Sequence, residues 1–178
     1  MLCERARAGD FEAASELLKR HYQAIFAYLR RLSGGDEDAA DLTQRTFAKA
    51  WTSLPSFRGT STFSAWLHGI ARHVRLDWLR RRNNAVPQTD EWWEACPSGD
   101  PDPARNAEDR DLQGQLYRWV DELDDDKRQA VHLHYYQGLS LDETAAVLGI
   151  ATSTVKYRLR EAMNFLRSKS SEPKTSFR

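Results

Sequence analysis

Apolar side chains recur at spacings of three and four residues over much of the chain, a period typical of amphipathic α-helices. Between Asp10 and Gly34 they form a stripe made of Phe11, Ala14, Leu18, Tyr22, Ile25, Leu29 and Leu32. Asp10 is a suitable N-cap, and Gly34 with Gly35 is a suitable stop. The pattern therefore predicts one long helix whose stripe faces a core.

Two further helices are predicted before residue 84. Three acids at 36–38 suit the positive end of a helix dipole, and the helix that they open runs to about Ser53, where Pro55 ends it. The next helix starts near Ser61 or Thr62. Its inward stripe is Phe63, Trp66, Leu67, Ile70, Val74 and Trp78.

This third helix has a basic front. At 100° per residue, the side opposite Ile70 holds His68, Arg72, Arg75 and Arg82, with His73 and Arg80 on one flank. Five arginines and one acid within 68–82 repel one another unless a polyanion neutralises them. A solvated helix face is the alternative. Asp77 lies on the apolar side, where we expect it to pair with an arginine or cap a neighbouring helix.

A second motif lies near the C-terminus. Ser140 and Glu143 form an S-x-x-E capping box, and a short helix, 141–148, ends at Gly149. We expect Thr152 to cap a second helix that runs from Ser153 to about Ser168. Small or apolar residues at 145, 149 and 155 have the spacing of a helix-turn-helix; a plain helical hairpin is the alternative. The second helix keeps Val155, Leu159, Met163 and Leu166 inward and shows Ser153, Lys156, Tyr157, Arg158 and Arg160 outward. Such a helix enters the major groove with its N-terminus first.

Charge divides the chain into three parts, although 26 basic and 26 acidic residues cancel. The net charges are +5 for residues 1–84, −10 for 85–126 and +5 for 127–178. Two basic blocks are compatible with nucleic-acid binding. Four of six prolines lie between Pro87 and Pro103, in a stretch without helical or strand period. We therefore predict domains at 1–84 and 108–170, a linker at 85–107 and a tail at 171–178.

Several classes of function are not expected. No run of 18 apolar residues and no apolar leader are present, so we expect a cytoplasmic chain without membrane insertion. Cys3 and Cys96 are too few for a disulfide framework or a zinc quartet. His132 and His134 point about 200° apart on a helix and cannot grip one ion. Without a nucleophile–base set or phosphate loop, we expect no enzymatic activity, no cofactor and no metal.

Three motifs together resemble the extracytoplasmic-function (ECF) sigma factors, small two-domain members of the bacterial sigma superfamily. They are DLTQRTF, FRGTSTFSAWLHGIARHVRLDWLRRR and TSTVKYRLREA, within residues 8–82 and 108–168. The resemblance implies an all-α fold of two small helical domains joined by an acidic Pro-rich linker, the C-terminal one a helix-turn-helix. It implies a protein that directs RNA polymerase core to promoters. A stand-alone helix-turn-helix regulator is the alternative, and it accounts for residues 108–168 alone.

The resemblance also implies three sets of site residues. The polymerase set, which docks on a coiled coil of the largest catalytic subunit, is Asp41, Gln44, Arg45 and Phe47. The set that captures and melts the −10 element is Arg58, Thr60, Ser61, Phe63, Trp66, Arg72, His73, Arg75, Arg80, Arg81 and Arg82. The set that contacts the −35 duplex is Thr152, Ser153, Thr154, Lys156, Tyr157, Arg158 and Arg160. Further implied partners are the polymerase flap region and an anti-sigma factor.

The sequence departs from the family pattern at three places. His73 stands where asparagine is frequent, and Glu161-Ala162-Met163 stands where R-A-R is frequent, which places an acid near the expected phosphates. LDDDKRQAV replaces the usual L-P-x-x-x-R, and we expect Asp124 or Asp125 to cap the helix that follows. Trp92 and Trp93 lie in the acidic linker. An exposed aromatic pair there predicts a contact, either in a polymerase channel or back on one of the two domains.

Overall fold

A computed structural model describes residues 2–84 and 107–171. These residues form eight α-helices: α1 Leu2–Arg7, α2 Phe11–Ser33, α3 Asp36–Ser53, α4 Phe63–Asn84, α5 Ala107–Asp121, α6 Asp125–Val131, α7 Leu141–Leu148 and α8 Thr152–Ser171. A 3-10 turn, Leu54–Ser56, follows α3, and a π-helical turn, His132–Tyr136, continues α6. The protein is all-α, as predicted. Trp92, Trp93 and nearly all of the predicted linker and tail lie outside the described residues.

Local caps place the helix ends close to where the sequence predicts them. The Asp10 carboxylate accepts from the Ala13 amide at 3.0 Å, and Gly34 ends α2 in the left-handed region at φ +86°. The Thr62 hydroxyl accepts from the Ala65 amide at 3.2 Å and opens α4. Asp124 accepts from the Lys127 amide at 2.9 Å and opens α6, as predicted. These caps satisfy amides that a helix start leaves without partners.

The first four helices pack around α2. Their buried side chains include Ile25, Tyr28, Leu42 and Leu67, each fully buried. Two residues of the predicted α2 stripe are not inward, however: Phe11 is 69% exposed and Tyr22 is 45% exposed. Both lie at the edge of the buried face, because spacings of three and four drift around a helix of 3.6 residues per turn.

The last four helices form a second bundle that shares its core with the first. Val120, Leu133, Leu148 and Val155 are buried in the same cluster as the core of α2–α4. The contact between the halves is largest where α7 packs on α4. Within the described ranges, no helix combines the length and apolar character needed to cross a membrane.

This contact corrects the predicted basic front of α4. His68 is 1% exposed and Arg75 is 3% exposed, although both were expected to face solvent. His68 packs edge-on against Tyr28 of α2, with ring centroids 5.3 Å apart, and Arg75 donates to the Leu32 carbonyl of α2 and to Asp125 of α6. This face of α4 is therefore buried by α2 together with the C-terminal helices. An amphipathic pattern identifies a face that avoids water, but it does not reveal that a second bundle covers the opposite face.

Candidate nucleic-acid interface

The polymerase set lies on the outer face of α3. Asp41 and Arg45 form an i,i+4 salt bridge at 2.8 Å, and Gln44 is exposed between them. Phe47 is half-buried, and its ring stacks on Tyr22 with centroids 5.6 Å apart. The opposite face of α3, which includes Leu42, Thr43 and Thr46, is fully buried. The predicted residues therefore share one accessible surface, and Phe47 is also partly core.

Exposed aromatic rings continue this surface, and the sequence pattern did not identify them. The Phe11 ring meets Trp51 edge-on with centroids 5.2 Å apart; Trp51 is 40% exposed. Tyr22 lies between Phe26 and Phe47. We call Phe11, Tyr22, Phe47 and Trp51 the aromatic patch. Phe11 and Tyr22 belong to the apolar stripe of α2, and its spacing of three and four residues predicted that both face the core. Periodicity alone could therefore not reveal the patch.

The loop before α4 places polar side chains on an aromatic base. Phe57 is buried, and its ring lies 5.7 Å from that of Phe63 and 5.0 Å from that of Trp66. Gly59 turns the chain at φ +72°. The loop residues Arg58, Thr60 and Ser61 are exposed. This arrangement offers hydrogen-bonding groups beside half-buried rings, which is the chemistry that a flipped base requires.

The basic residues of α4 fall into two groups. The exposed group is His73, Arg80, Arg81 and Arg82. Asp77 pairs with Arg80 at 3.0 Å, as expected for this acid, and Asp38 lies 3.6 Å from Arg82. The second group, His68, Arg72 and Arg75, is buried or half-buried. The predicted −10 residues are therefore only partly accessible in this conformation.

Arg75 is bound from both halves of the chain. Its Nε donates to the Leu32 carbonyl at 3.0 Å. Its two terminal nitrogens donate to the two oxygens of Asp125, at 3.1 Å and 2.5 Å. Burial alone raises the pKa of Asp125, but the bonds from Arg75 and Arg128 outweigh burial and lower it. Such a two-point pair is among the stronger charge-assisted contacts.

The helix-turn-helix forms as the spacing predicts. Ser140 and Glu143 make both bonds of the capping box, at 3.1 Å and 2.9 Å, and α7 ends at Gly149 with φ +65°. One detail differs: the Thr152 hydroxyl does not cap α8. It donates to Asp142 at 2.8 Å, while the Ala151 carbonyl accepts from the amides of Thr154 and Val155.

The start of α8 presents the −35 set. Ser153, Lys156, Tyr157 and Arg160 are exposed, and Thr152 and Thr154 are half-exposed. Arg158 differs, because it is 19% exposed and donates to Asp126 at 2.5 Å. Val155, Leu159 and Leu166 are buried, and Met163 is partly buried against the core. A hydrogen bond to Asp124 and, less strongly, the charge of Glu161 raise the pKa of Lys127 of α6, so this acid has a cation near it.

The two bundles also contact each other beside the residues that are predicted to bind DNA. The Thr62 hydroxyl, at the start of α4, donates to Glu143 of α7 at 2.5 Å. This bond and the backbone amide of Ser140 lower the pKa of Glu143. Arg31 of α2 lies 3.4 Å from Asp121 and 4.2 Å above the Tyr117 ring. A polar and ionic interface thus surrounds the Arg75–Asp125 pair.

Comparison with known families matches both halves of the chain. Residues 17–85 match Sigma-70 region 2, and residues 113–166 match Sigma-70, region 4. The first match covers α3, the loop and α4; the second covers the helix-turn-helix. Apart from Phe11 of the aromatic patch, the two matches therefore contain the surfaces described above.

Curated relatives agree with these matches. An ECF RNA polymerase sigma factor, SigE, of Mycolicibacterium smegmatis is 35% identical over 85% of this chain, and the chain spans 59% of that protein's length. The ECF RNA polymerase sigma-E factor of Escherichia coli K12 is 30% identical, with 92% of this chain and 91% of that protein covered.

A solved structure shows the same arrangement of helices. The sigma factor RpoE of Bartonella quintana, crystallised in complex with the anti-sigma factor NepR, is 30% identical and superposes with a TM-score of 0.75. The match covers 92% of this chain and 99% of that one. Two family regions in their expected order, full-length relatives and a common fold lead to one conclusion: this chain belongs to the ECF family of RNA polymerase sigma factors.

Proposed function

We propose that this chain directs RNA polymerase core to promoters by three surfaces. The outer face of α3, around Gln44 and the aromatic patch, docks on the polymerase. The loop and α4 capture and melt the −10 element, and the exposed start of α8 contacts the −35 duplex. The observation that carries the proposal is the presence of all three surfaces on the matched regions of one chain.

The domain roles follow the same division. Residues 1–84 serve polymerase docking and the −10 element, residues 85–107 connect, and residues 108–170 serve the −35 element. The chain itself performs no catalysis, because the polymerase supplies it, and it acts in the cytoplasm with the polymerase and promoter DNA. The Bartonella relative binds an anti-sigma factor, and we propose such a partner here. The comparisons offer no support for a stand-alone helix-turn-helix regulator.

Run-off transcription with core polymerase on pooled genomic fragments, followed by sequencing of the start sites, tests the proposal. We expect initiation that depends on this chain and start sites that share −35 and −10 elements. Tight binding of the chain to duplex DNA without polymerase, with no stimulated initiation, would support the stand-alone regulator and contradict the proposal.

A matched set of variants tests the docking surface. Gln44→Arg and Asp41→Lys place a cation beside Arg45 on α3, and we expect about tenfold or greater loss of affinity for core, typical of a disrupted interface centre. Ser168→Arg adds a cation at an exposed site on α8 and serves as the control. Core affinity is measured by competition with a labelled sigma factor. Wild-type affinity in both α3 variants would show that the polymerase docks elsewhere.

A further inference from the structure

Three consecutive acids open α6, and each has a different partner. Asp124 caps its own helix. Asp125 binds both terminal nitrogens of Arg75 in α4. Asp126 binds Arg158 in α8. We call the turn Asp124–Asp126 the acidic turn. Two of its carboxylates occupy arginines that the proposed function assigns to DNA, one for each promoter element.

The Arg75 pair has the geometry of phosphate recognition. A guanidinium binds a carboxylate and a phosphate with the same two-point fork, so Asp125 occupies the groups that a phosphate of the −10 strand needs. Arg75 is 3% exposed, and its partner lies 50 residues further along the chain. The carboxylate is 42% exposed, so solvent and competing ions reach the pair from the α6 side.

The surrounding interface keeps DNA away from the same face of α4. Helix α7, the first helix of the helix-turn-helix, packs on α4. Glu143 of α7 holds Thr62 at the start of α4, beside the loop that offers its polar groups to a flipped base. Arg31 joins α2 to Asp121 and Tyr117 of α5. A single strand cannot reach Arg75 while these contacts persist.

We propose that the acidic turn holds the free chain closed and unable to bind −10 DNA, because Asp125 binds Arg75 across the two bundles in the place of a DNA phosphate. Asp126 occupies Arg158 in the same way, but within the C-terminal bundle. This inference rests on the proposed function for the role of the two arginines. Opening separates α7 from α4 and exchanges Asp125 on Arg75 for a phosphate of the −10 strand, whereas Asp126 on Arg158 is exchanged when the −35 duplex binds. The net charge of the two arginines is thus neutralised in both states, which lowers the cost of the exchange.

The test compares two substitutions that remove the same charge. Asp125→Asn breaks the pair between the bundles. Asp38→Asn removes an acid that lies 3.6 Å from Arg82, so it removes the same charge and frees an exposed −10 arginine without touching the contact between the bundles. Asp125→Lys places a cation against Arg75 and gives the stronger opening. Circular dichroism checks that each variant keeps its helices.

Two readouts are taken on the full chain without polymerase. Fluorescence energy transfer between labels at Glu12→Cys and Ser168→Cys, in a chain with Cys3→Ser and Cys96→Ser, reports separation of the bundles; both label sites are exposed. Fluorescence anisotropy reports affinity for a single-stranded oligonucleotide of the −10 sequence. Both readouts are independent of initiation by the wild-type holoenzyme. Failure of the proposed closed state can therefore be distinguished from failure of the proposed function.

We expect Asp125→Asn to lower energy transfer and raise oligonucleotide affinity about tenfold, because apparent affinity follows the fraction of competent chain. Asp125→Lys has the larger effect on energy transfer, and Asp38→Asn leaves it unchanged. Unchanged energy transfer in Asp125→Lys would overturn the proposal. Equal oligonucleotide affinities for Asp125→Asn and Asp38→Asn would also overturn it, since charge alone would then account for the gain.

Discussion

Gly149 forms the turn of the helix-turn-helix in a backbone region that other residues adopt at a cost. Its φ is +65°, and a Cβ added there meets no atom within 4 Å. Backbone strain is therefore the whole cost of Gly149→Ala, and we expect a loss of about 1 kcal/mol in the free energy of unfolding. Urea unfolding measures it.

Gly69 provides the matched control for this substitution. It lies inside α4, where an added Cβ also meets no atom within 4 Å, and alanine favours a helix over glycine by about 1 kcal/mol. Gly69→Ala should thus raise stability or leave it unchanged. Equal losses in the two variants would show that the turn at Gly149 is not specially dependent on glycine.

Residues whose partners are close in sequence could be predicted, and residues whose partners are distant could not. Asp10, Ser140 with Glu143, and Asp124 cap helices as the sequence indicates, because a cap bonds to amides two or three residues away. Thr152 has a side-chain partner ten residues away, in α7. Arg75 has one 50 residues away. No local pattern encodes either of these contacts.

At the scale of elements, the start of α8 is the part that the proposed function uses on duplex DNA. A phosphate contact adds the same free energy on every sequence and contributes about one unit to the slope of log affinity against log salt. For Lys156→Ala we expect weaker binding of holoenzyme to all promoters and a slope smaller by about one. Filter binding over a salt series measures it.

Arg167 supplies the control on the same helix. It is exposed and lies 11 residues after Lys156, about 16 Å further along the axis at 1.5 Å per residue. A recognition helix uses its N-terminal residues, so Arg167→Ala should keep the wild-type slope. A loss of slope in Arg167→Ala equal to that in Lys156→Ala would indicate a diffuse charge effect instead of a docked helix.

Helix positions were well predicted, whereas the burial of their faces was predicted in part. The bounds of α2, α3, α4 and α7 follow from caps, acids and glycines that the sequence displays. Their faces depend on neighbours: Phe11 and Tyr22 sit at the edge of the core, and the basic front of α4 is covered. The predicted −10 and polymerase residues therefore lie on helices whose positions the sequence indicates, but their exposure depends on neighbours that it does not.

At the scale of the whole molecule, a histidine reports on the junction of the two bundles. His132 is 2% exposed, its ring packs on Tyr136, and its Nε2 has no hydrogen-bond partner among the described residues. Burial, with the charges of Arg31 from α2 and Arg128 from α6, lowers its pKa to about 4. The folded chain thus binds this proton less readily than the unfolded chain does.

Stability should consequently fall as the solution is acidified. With an unfolded pKa of about 6.5, the free energy of unfolding drops by about 2 kcal/mol between pH 7 and pH 5. Burial lowers the pKa of His68 and His21 in the same direction. For His132→Leu we expect the free energy of unfolding to lose about 2 kcal/mol of this dependence on pH, measured by urea unfolding at each pH. Tyr136→Phe is the control: it keeps the ring beside His132, so its free energy of unfolding should depend on pH as that of the wild type does. An unflattened profile in His132→Leu would place the proton uptake elsewhere.

The contact between the bundles is the feature of the whole molecule that the sequence did not reveal. Charge segregation and prolines predicted two bundles and a connection, since composition changes along the chain. Where α7 docks on α4, Thr62 meets Glu143, 81 residues further along the chain. This docking depends on the shape and charge of the two helices, which the spacing of apolar residues does not encode. Loop closure over such a distance costs little more than over a shorter one, so the connection permits the contact without specifying it.

The acidic turn also sets a limit on insertions and deletions. Successive residues of a helix point about 100° apart, which is why Asp125 and Asp126 reach two different helices from adjacent positions. One extra residue after Asp124 would leave three acids in the sequence but rotate Asp125 and Asp126 away from their arginines. A glutamate in place of an aspartate keeps the direction and lengthens the reach. The spacing of this turn is thus a stricter requirement than the identity of its acids.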